Sequence, residues 1–249
     1  MLLYKAWRES QARFLISALV LVGICAAVIV FEQSFRAQMH ADSAPLNTYI
    51  GYIYRRIYGG FARGTFLMLA LVLGLGGLQR ERAHGSASFT LALPVSRFAL
   101  MAARAVAGLL EILALALVPV ILVPALSRFV GESYPLSQAL EFSLLWVTIG
   151  SAVFAASFLA SAVFTTEYTA MTVSFVAFLI YPLATRLPAL RLYPLHIHYI
   201  MNGTGMAYFD SHTALLVGPF PWAILSAVAA IALGLIASAT LITQHQDFS

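Results

Sequence analysis

Long apolar runs separated by short polar breaks dominate this chain, at about 14–31, 61–78, 98–126, 139–164, 170–185 and 220–243. Each is near the roughly 20 residues a helix needs to cross the hydrocarbon core. The pattern predicts an all-α polytopic membrane protein with six transmembrane helices in one domain covering 1–249. Ahead of the first run, residues 1–13 read as an amphipathic interface helix, with Leu3, Trp7 and Phe14 toward lipid and Lys5, Arg8, Glu9 and Arg13 in water. The first run is long and lacks a small-residue cleavage site, so it is expected to be a retained helix rather than a signal peptide. Glu32, Arg36, His40 and Asp42 mark a polar stretch outside the bilayer core. Tyrosines and arginines mixed with isoleucines over 49–58 suggest a headgroup-level segment leading into the second span. Thr165–Thr169 make a tight turn between antiparallel fourth and fifth spans, and the Pro-, His-, Tyr- and Gly-rich tract 186–218 is expected to form short helices or a re-entrant dip.

Composition agrees. Apolar residues fill 61% of the 249 positions and charged residues only 10%, against roughly 25% charged in a soluble domain. The net charge of +4 is scattered without a Lys/Arg-dense run, so nucleic acid is not an expected partner. Cys25 is the single cysteine, excluding an intrachain disulfide and a cysteine-based metal site; it reads as a small lipid-facing or packing residue. No fixed-period repeat and no inverted symmetry between the halves appear.

The most polar connection runs from 79 to 97. Gly85 suits the close of one helix, and Ser86 or Ser88 the cap of a short new one. Phe89, Leu91 and Leu93 give it an apolar face, and Pro94 stops it. Ser96 is placed to cap the third span, with Arg97 in its first turn. These features read as helix, turn, short helix, turn, helix, and a solvated loop with good caps fits them as well.

The tract Glu-x-x-x-Gly-Ser followed by Leu-Pro-Val-Ser-Arg, at Glu81, Gly85, Ser86, Leu93, Pro94, Val95, Ser96 and Arg97, resembles the cytoplasmic loop of type-V ABC exporter permeases, the type-2 ABC transporter membrane family. Small six-helix members are the closest in pattern, and Ser86 stands where the family more often has Thr. The resemblance implies a coupling helix that docks on a separate ATPase, with Glu81, Arg82, Gly85, Ser86, Phe89, Leu91, Pro94, Ser96 and Arg97 as the coupling residues. It implies two cytoplasmic ABC ATPase subunits carrying ATP and Mg, and a second permease protomer, identical or related. It also implies that the second and fifth spans line the translocation path, with Thr65, Met68, Thr172, Phe175 and Phe178 as candidates. Apolar and aromatic residues on a span are also ordinary packing. Gly74, Gly76 and Gly77 would allow close helix approach, as at a subunit interface, or would loosen the end of the second span.

No phosphate-binding Gly-x-x-x-x-Gly-Lys-[Ser/Thr] loop occurs, and Lys5 is the only lysine. The chain is therefore expected to bind no cofactor and to draw its energy from a partner. Arg97, Arg104 and Glu111 recur at intervals of seven and share one face of the third span. Arg104 is near enough to the cytoplasmic end to snorkel, whereas at 1.5 Å per residue Glu111 lies about 21 Å from Arg97, near mid-membrane. A carboxylate there should face the protein, paired or protonated, either as a cation or proton site or as a buried partner of an arginine or hydroxyl. His196, His198 and His212 lack a clear third ligand, so no metal site is expected. Lys5, Arg8 and Arg13 favour a cytoplasmic N-terminus, and six spans would return the C-terminus to that side of a bacterial cytoplasmic membrane. The reading is an exporter permease with no catalytic residues of its own; its rivals are an ion- or proton-coupled transporter acting alone and a membrane-embedded enzyme.

Overall fold

The computed structural model describes residues 2–37, 48–75, 96–164, 166–184, 197–203 and 208–245, and is nearly all helical. In chain order the elements are α1 (Leu2–Val30), α2 (Glu32–Ala37), α3 (Tyr49–Ile53) continuing through a π-helical turn (Tyr54–Tyr58), α4 (Phe61–Gly74), α5 (Arg97–Phe129), α6 (Leu136–Val163), α7 (Glu167–Ala184), α8 (Ile197–Asn202), β1 (Phe209–Asp210), β2 (Leu215–Leu216) and α9 (Trp222–His245). Five apolar helical stretches, Leu2–Val30, Tyr49–Gly74, Arg97–Phe129, Leu136–Val163 and Trp222–Gln244, are long enough to cross a bilayer. The 18-residue α7 is a shorter apolar helix, about 27 Å long at the standard rise.

α6 is the hub. It is apolar around its circumference, as a helix enclosed by others must be, and it packs on α4, α5, α7, α8 and α9. Its fully buried Phe142, Trp146 and Ile149 fill the centre of the bundle. Gly150 leaves room there for the Phe66 ring, which a Cβ would approach to 2.7 Å.

Two expectations change here. Residues 1–13 do not form a separate helix: α1 runs unbroken from Leu2 to Val30, with no proline to interrupt it. The tyrosines of 49–58 point into the protein rather than forming an interfacial belt. Tyr49, Tyr52, Tyr54 and Tyr58 are buried. Tyr58 stacks on Phe142 at 4.5 Å and on Tyr134 at 5.8 Å, and the Tyr52 hydroxyl donates to Val28 O at 2.6 Å. Because Tyr54–Tyr58 is π-helical, the ring spacing departs from the 3.6-residue period that sequence reading assumes.

α5 continues through Pro119 and Pro124 and ends at Phe129. Gly131, at φ +78°, takes the left-handed conformation that closes the helix, and Glu132 N–H donates to Ser127 O at 3.0 Å. Beyond α8 the chain forms a two-stranded hairpin, which the sequence reading does not anticipate, with Phe209 opposite Leu216. The Gln138 side chain stands in for a further strand: its Oε1 accepts from Leu216 N–H at 2.8 Å and its Nε2 donates to Leu216 O at 3.0 Å.

The hairpin turn depends on Asp210, whose carboxylate accepts from His212 N–H at 2.9 Å and from the Thr213 hydroxyl at 2.8 Å. The His212 amide first, and then the Thr213 hydroxyl, hold the Asp210 carboxyl below its usual range. The contribution of these bonds is fully present above the unfolded carboxyl value of roughly 4, and is lost as pH falls through the lower folded value. The amide proton resonance of His212 in micelles is therefore expected to show a shift across that acidic window, and this acidic step should vanish in Asp210→Asn.

Candidate functional site

Where α1, α4 and α5 meet, five polar side chains gather: Ser10, Arg104 and Glu111 are buried, Arg13 is half-buried and Glu9 lies at the exposed edge. Arg104, on the eighth residue of α5, is buried, and its Nη2 donates to Glu9 Oε2 of α1 at 3.0 Å. Glu9 also faces Lys5 one turn earlier, at 3.7 Å. Two turns further along α5, Glu111 Oε1 accepts from the Ser10 hydroxyl, and Glu111 is 1% exposed. Arg13 reaches across to α4, donating to Val72 O at 3.3 Å and, more closely, to Leu75 O. The group encloses a cavity of about 30 Å³ lined by Glu9, Ser10, Arg13, Arg104 and Glu111, room for about one water molecule. Glu111 Oε2 has no protein hydrogen-bond partner among the described residues.

The interval of seven on α5 thus brings Arg104 and Glu111 to one face. Arg104, expected to snorkel, is instead buried against Glu9, and Glu111 takes a hydroxyl partner of the kind expected, Ser10 of α1. Glu9, Ser10 and Arg13 were missed as partners because an α1 face with charged residues near its N-terminus looks the same whether it meets headgroups or another helix. The one available signal was the excess of buried charge expected on α5, which required a polar surface somewhere to receive it.

Of the tract read as the coupling segment, Glu81, Arg82, Gly85, Ser86, Phe89, Leu91 and Pro94 lie outside the described residues. Ser96 and Arg97 are described. Ser96 is the N-cap of α5, in extended conformation, and its Oγ accepts from Ala99 N–H at 3.2 Å. Arg97 is the first helical residue.

The path candidates are divided. Thr172 is exposed on α7, and Thr65 and Met68 are half-buried on α4, with the Thr65 hydroxyl donating back to Phe61 O at 3.1 Å. Phe175 and Phe178 turn inward and pack with Leu71, Leu75 and Ala170. Phe178 also lines an apolar cavity of about 370 Å³ between α4, α6, α7, α8 and α9, bordered by Leu67, Val153, Ala156, Ser174 and Tyr181. Gly74 meets α6 of the same chain, where a Cβ would lie 2.5 Å from Phe154 O. Its close approach therefore serves packing within the protomer; Gly76 and Gly77 lie outside the described residues. Cys25 is fully buried, a packing residue.

His198 sits on α8 with its ring 5.8 Å from that of Tyr181, while His212 is exposed in the hairpin turn. Among the described residues no group of three His, Cys, Asp or Glu side chains gathers as a metal site would require. His196 lies outside them.

A nearly all-α bundle with five membrane-length apolar helices and a shorter sixth is a multi-pass membrane protein. The chain belongs to the ABC-2 family: the family model described as ABC-2 family transporter protein matches residues 13–239. It is thus the membrane component of an ABC transporter, a permease. Comparison with curated proteins gave no match.

Proposed function

We propose that this permease couples ATP hydrolysis on separate cytoplasmic ABC ATPase subunits to export across a bacterial cytoplasmic membrane, two ATPases serving a pair of permease protomers. The observation that carries the reading is the tract from Glu81 to Arg97 in a chain whose residues 13–239 match the family. It joins α4 to α5, the two helices whose facing ends are tied to α1. ATP and Mg belong to the ATPase, whose closure would push on the segment containing Glu81, Gly85 and Ser86 and rock the bundle. The side bearing this tract is then cytoplasmic, and with it both termini. α7 fits a face toward lipid or a second protomer, since it leaves Met171, Val173, Val176, Leu179 and Ile180 exposed.

The test is recovery of an ATP-hydrolysing partner when the tagged chain is isolated from its native membrane in mild detergent. Wild type is expected to bring the ATPase with it, and a Glu81→Ala, Gly85→Pro variant to lose at least about tenfold of it, as removal of docking contacts of about 1.4 kcal/mol would require. No ATPase with a stable wild-type preparation would refute the reading. It would favour a transporter acting alone, for which Glu111→Gln should abolish transport.

A further inference from the structure

We propose that Glu9 and Arg13 make α1 a strap across the two helix ends that flank residues 76–95, so that displacement of that segment reaches the bundle through α1. The transmission part of this inference rests on the coupling role proposed above; the strap itself does not.

The physical case begins with the end of α4. The last four carbonyls of a helix have no intrahelical partner, and buried ones need a donor from elsewhere. Val72 O lies in that last turn and Leu75 O on the extended C-cap residue that follows it, and the donor for both is Arg13. A guanidinium is well suited to this: both contacts come from Nη1, which carries two N–H groups, and its charge complements the negative end of the helix dipole. Leu75 is the last described residue before the segment.

On the other side, α5 starts at Arg97 directly after the Ser96 cap, and Arg104 two turns in is tied to Glu9 at 3.0 Å. Glu9 and Arg13 are one turn apart on α1, so a single rigid stretch of helix grips both flanks. The partners are 62 and 95 residues apart in sequence, and neither contact is a product of local chain geometry. Glu111, two turns beyond Arg104 on α5, and Ser10 add a third tie on the same α1–α5 seam. Helices in a bilayer gain little from apolar burial against one another, since lipid tails are equally apolar. Close packing and polar ties therefore set which helices move together.

The strap is tested with trypsin on the full detergent-solubilised chain. Arg80 and Arg82 lie in the flanked segment, while Arg128 is exposed at the far end of α5. In Arg13→Ala, cleavage after Arg80 or Arg82 is expected to accelerate about fivefold, equivalent to about 1 kcal/mol, with cleavage after Arg128 unchanged. Arg13→Lys, which keeps the charge and a multi-donor nitrogen on a shorter side chain, should fall between. Glu9→Arg and Arg104→Glu should each accelerate the same cuts, and the double exchange should return them toward wild type. Wild-type rates in Arg13→Ala would overturn the strap; so would equal acceleration at Arg128, which marks general loosening.

The transmission step has its own readout in the complex with the ATPase. Arg13→Ala should recover the ATPase at wild-type level yet lose most of its permease-dependent hydrolysis. Unchanged hydrolysis in that complex would overturn transmission. If wild type recovers no ATPase, the coupling role has failed, while the trypsin comparison still decides the strap.

Discussion

Trp146→Ala is expected to cost about 3 kcal/mol of stability, near the low end of the range for truncating a buried aromatic. Trp146 is fully buried on the hub helix, its indole 4.9 Å from the Phe66 ring and 5.8 Å, edge-on, from Tyr58. In a water-soluble core the loss would combine transfer and cavity terms. Here the unfolded helices remain among lipid tails, so the transfer term largely cancels and lost van der Waals contact dominates. Trp146→Phe isolates the two parts of the side chain. The indole Nε1 has no hydrogen-bond partner among the described residues. Phenylalanine therefore keeps most of the ring contacts without losing a bond, and should cost under about 1.5 kcal/mol. Thermal unfolding of the purified protein in one detergent, followed by loss of the monodisperse fraction, orders the three proteins. A Phe variant as unstable as the Ala variant would contradict this account of the core.

Gly74→Ala carries the second large effect, and its consequence falls where α4 hands over to the segment that follows. An added Cβ would meet Ser157 Oγ and come within 2.5 Å of Phe154 O. The hydroxyl can turn away, but the carbonyl belongs to the α6 backbone. The end of α4 must therefore back off from the hub, at an overpacking cost of about 1–3 kcal/mol. Leu75 moves with it, and with Leu75 the carbonyl that Arg13 holds. Gly108→Ala is the matched control: the nearest atoms its Cβ would meet all belong to the Phe154 ring, a side chain able to rotate. It should cost less, and trimming the ring in Phe154→Leu should recover most of that loss. In the complex, Gly74→Ala should reduce permease-dependent ATP hydrolysis more than Gly108→Ala does at equal thermal stability. Equal costs for the two glycines would mean that α4 is free to slide on α6.

Both substitutions act through contacts that no local pattern reveals. Gly74 was legible as a site of close approach, because a glycine in an apolar span has few other uses, yet the surface it approaches belongs to α6 of the same chain. The Ser96 cap was legible down to the residue, since capping needs only a hydroxyl and the amide three positions on. Glu111 was legible as inward-facing because charge is costly in hydrocarbon, and the interval of seven puts Arg104 on the same face, although its burial was not expected. Their partners were not legible. Ser10 is one of many serines, and Glu9 and Arg13 looked like residues for the headgroup region.

What the sequence determined by itself is the class of architecture. The bilayer admits only segments that satisfy their own backbone hydrogen bonds, so apolar length alone marks the membrane-crossing helices and polar breaks mark their ends. What only the tertiary structure decided is the facing of those helices. A helix that is apolar all round, such as α6, carries no periodic signal for which side meets protein and which meets lipid. The burial of Tyr58 through a π-helical turn, the hairpin held by Gln138, and the grip of α1 on α4 and α5 all join residues far apart in sequence. Their pairing follows from helix packing, which hydropathy does not encode.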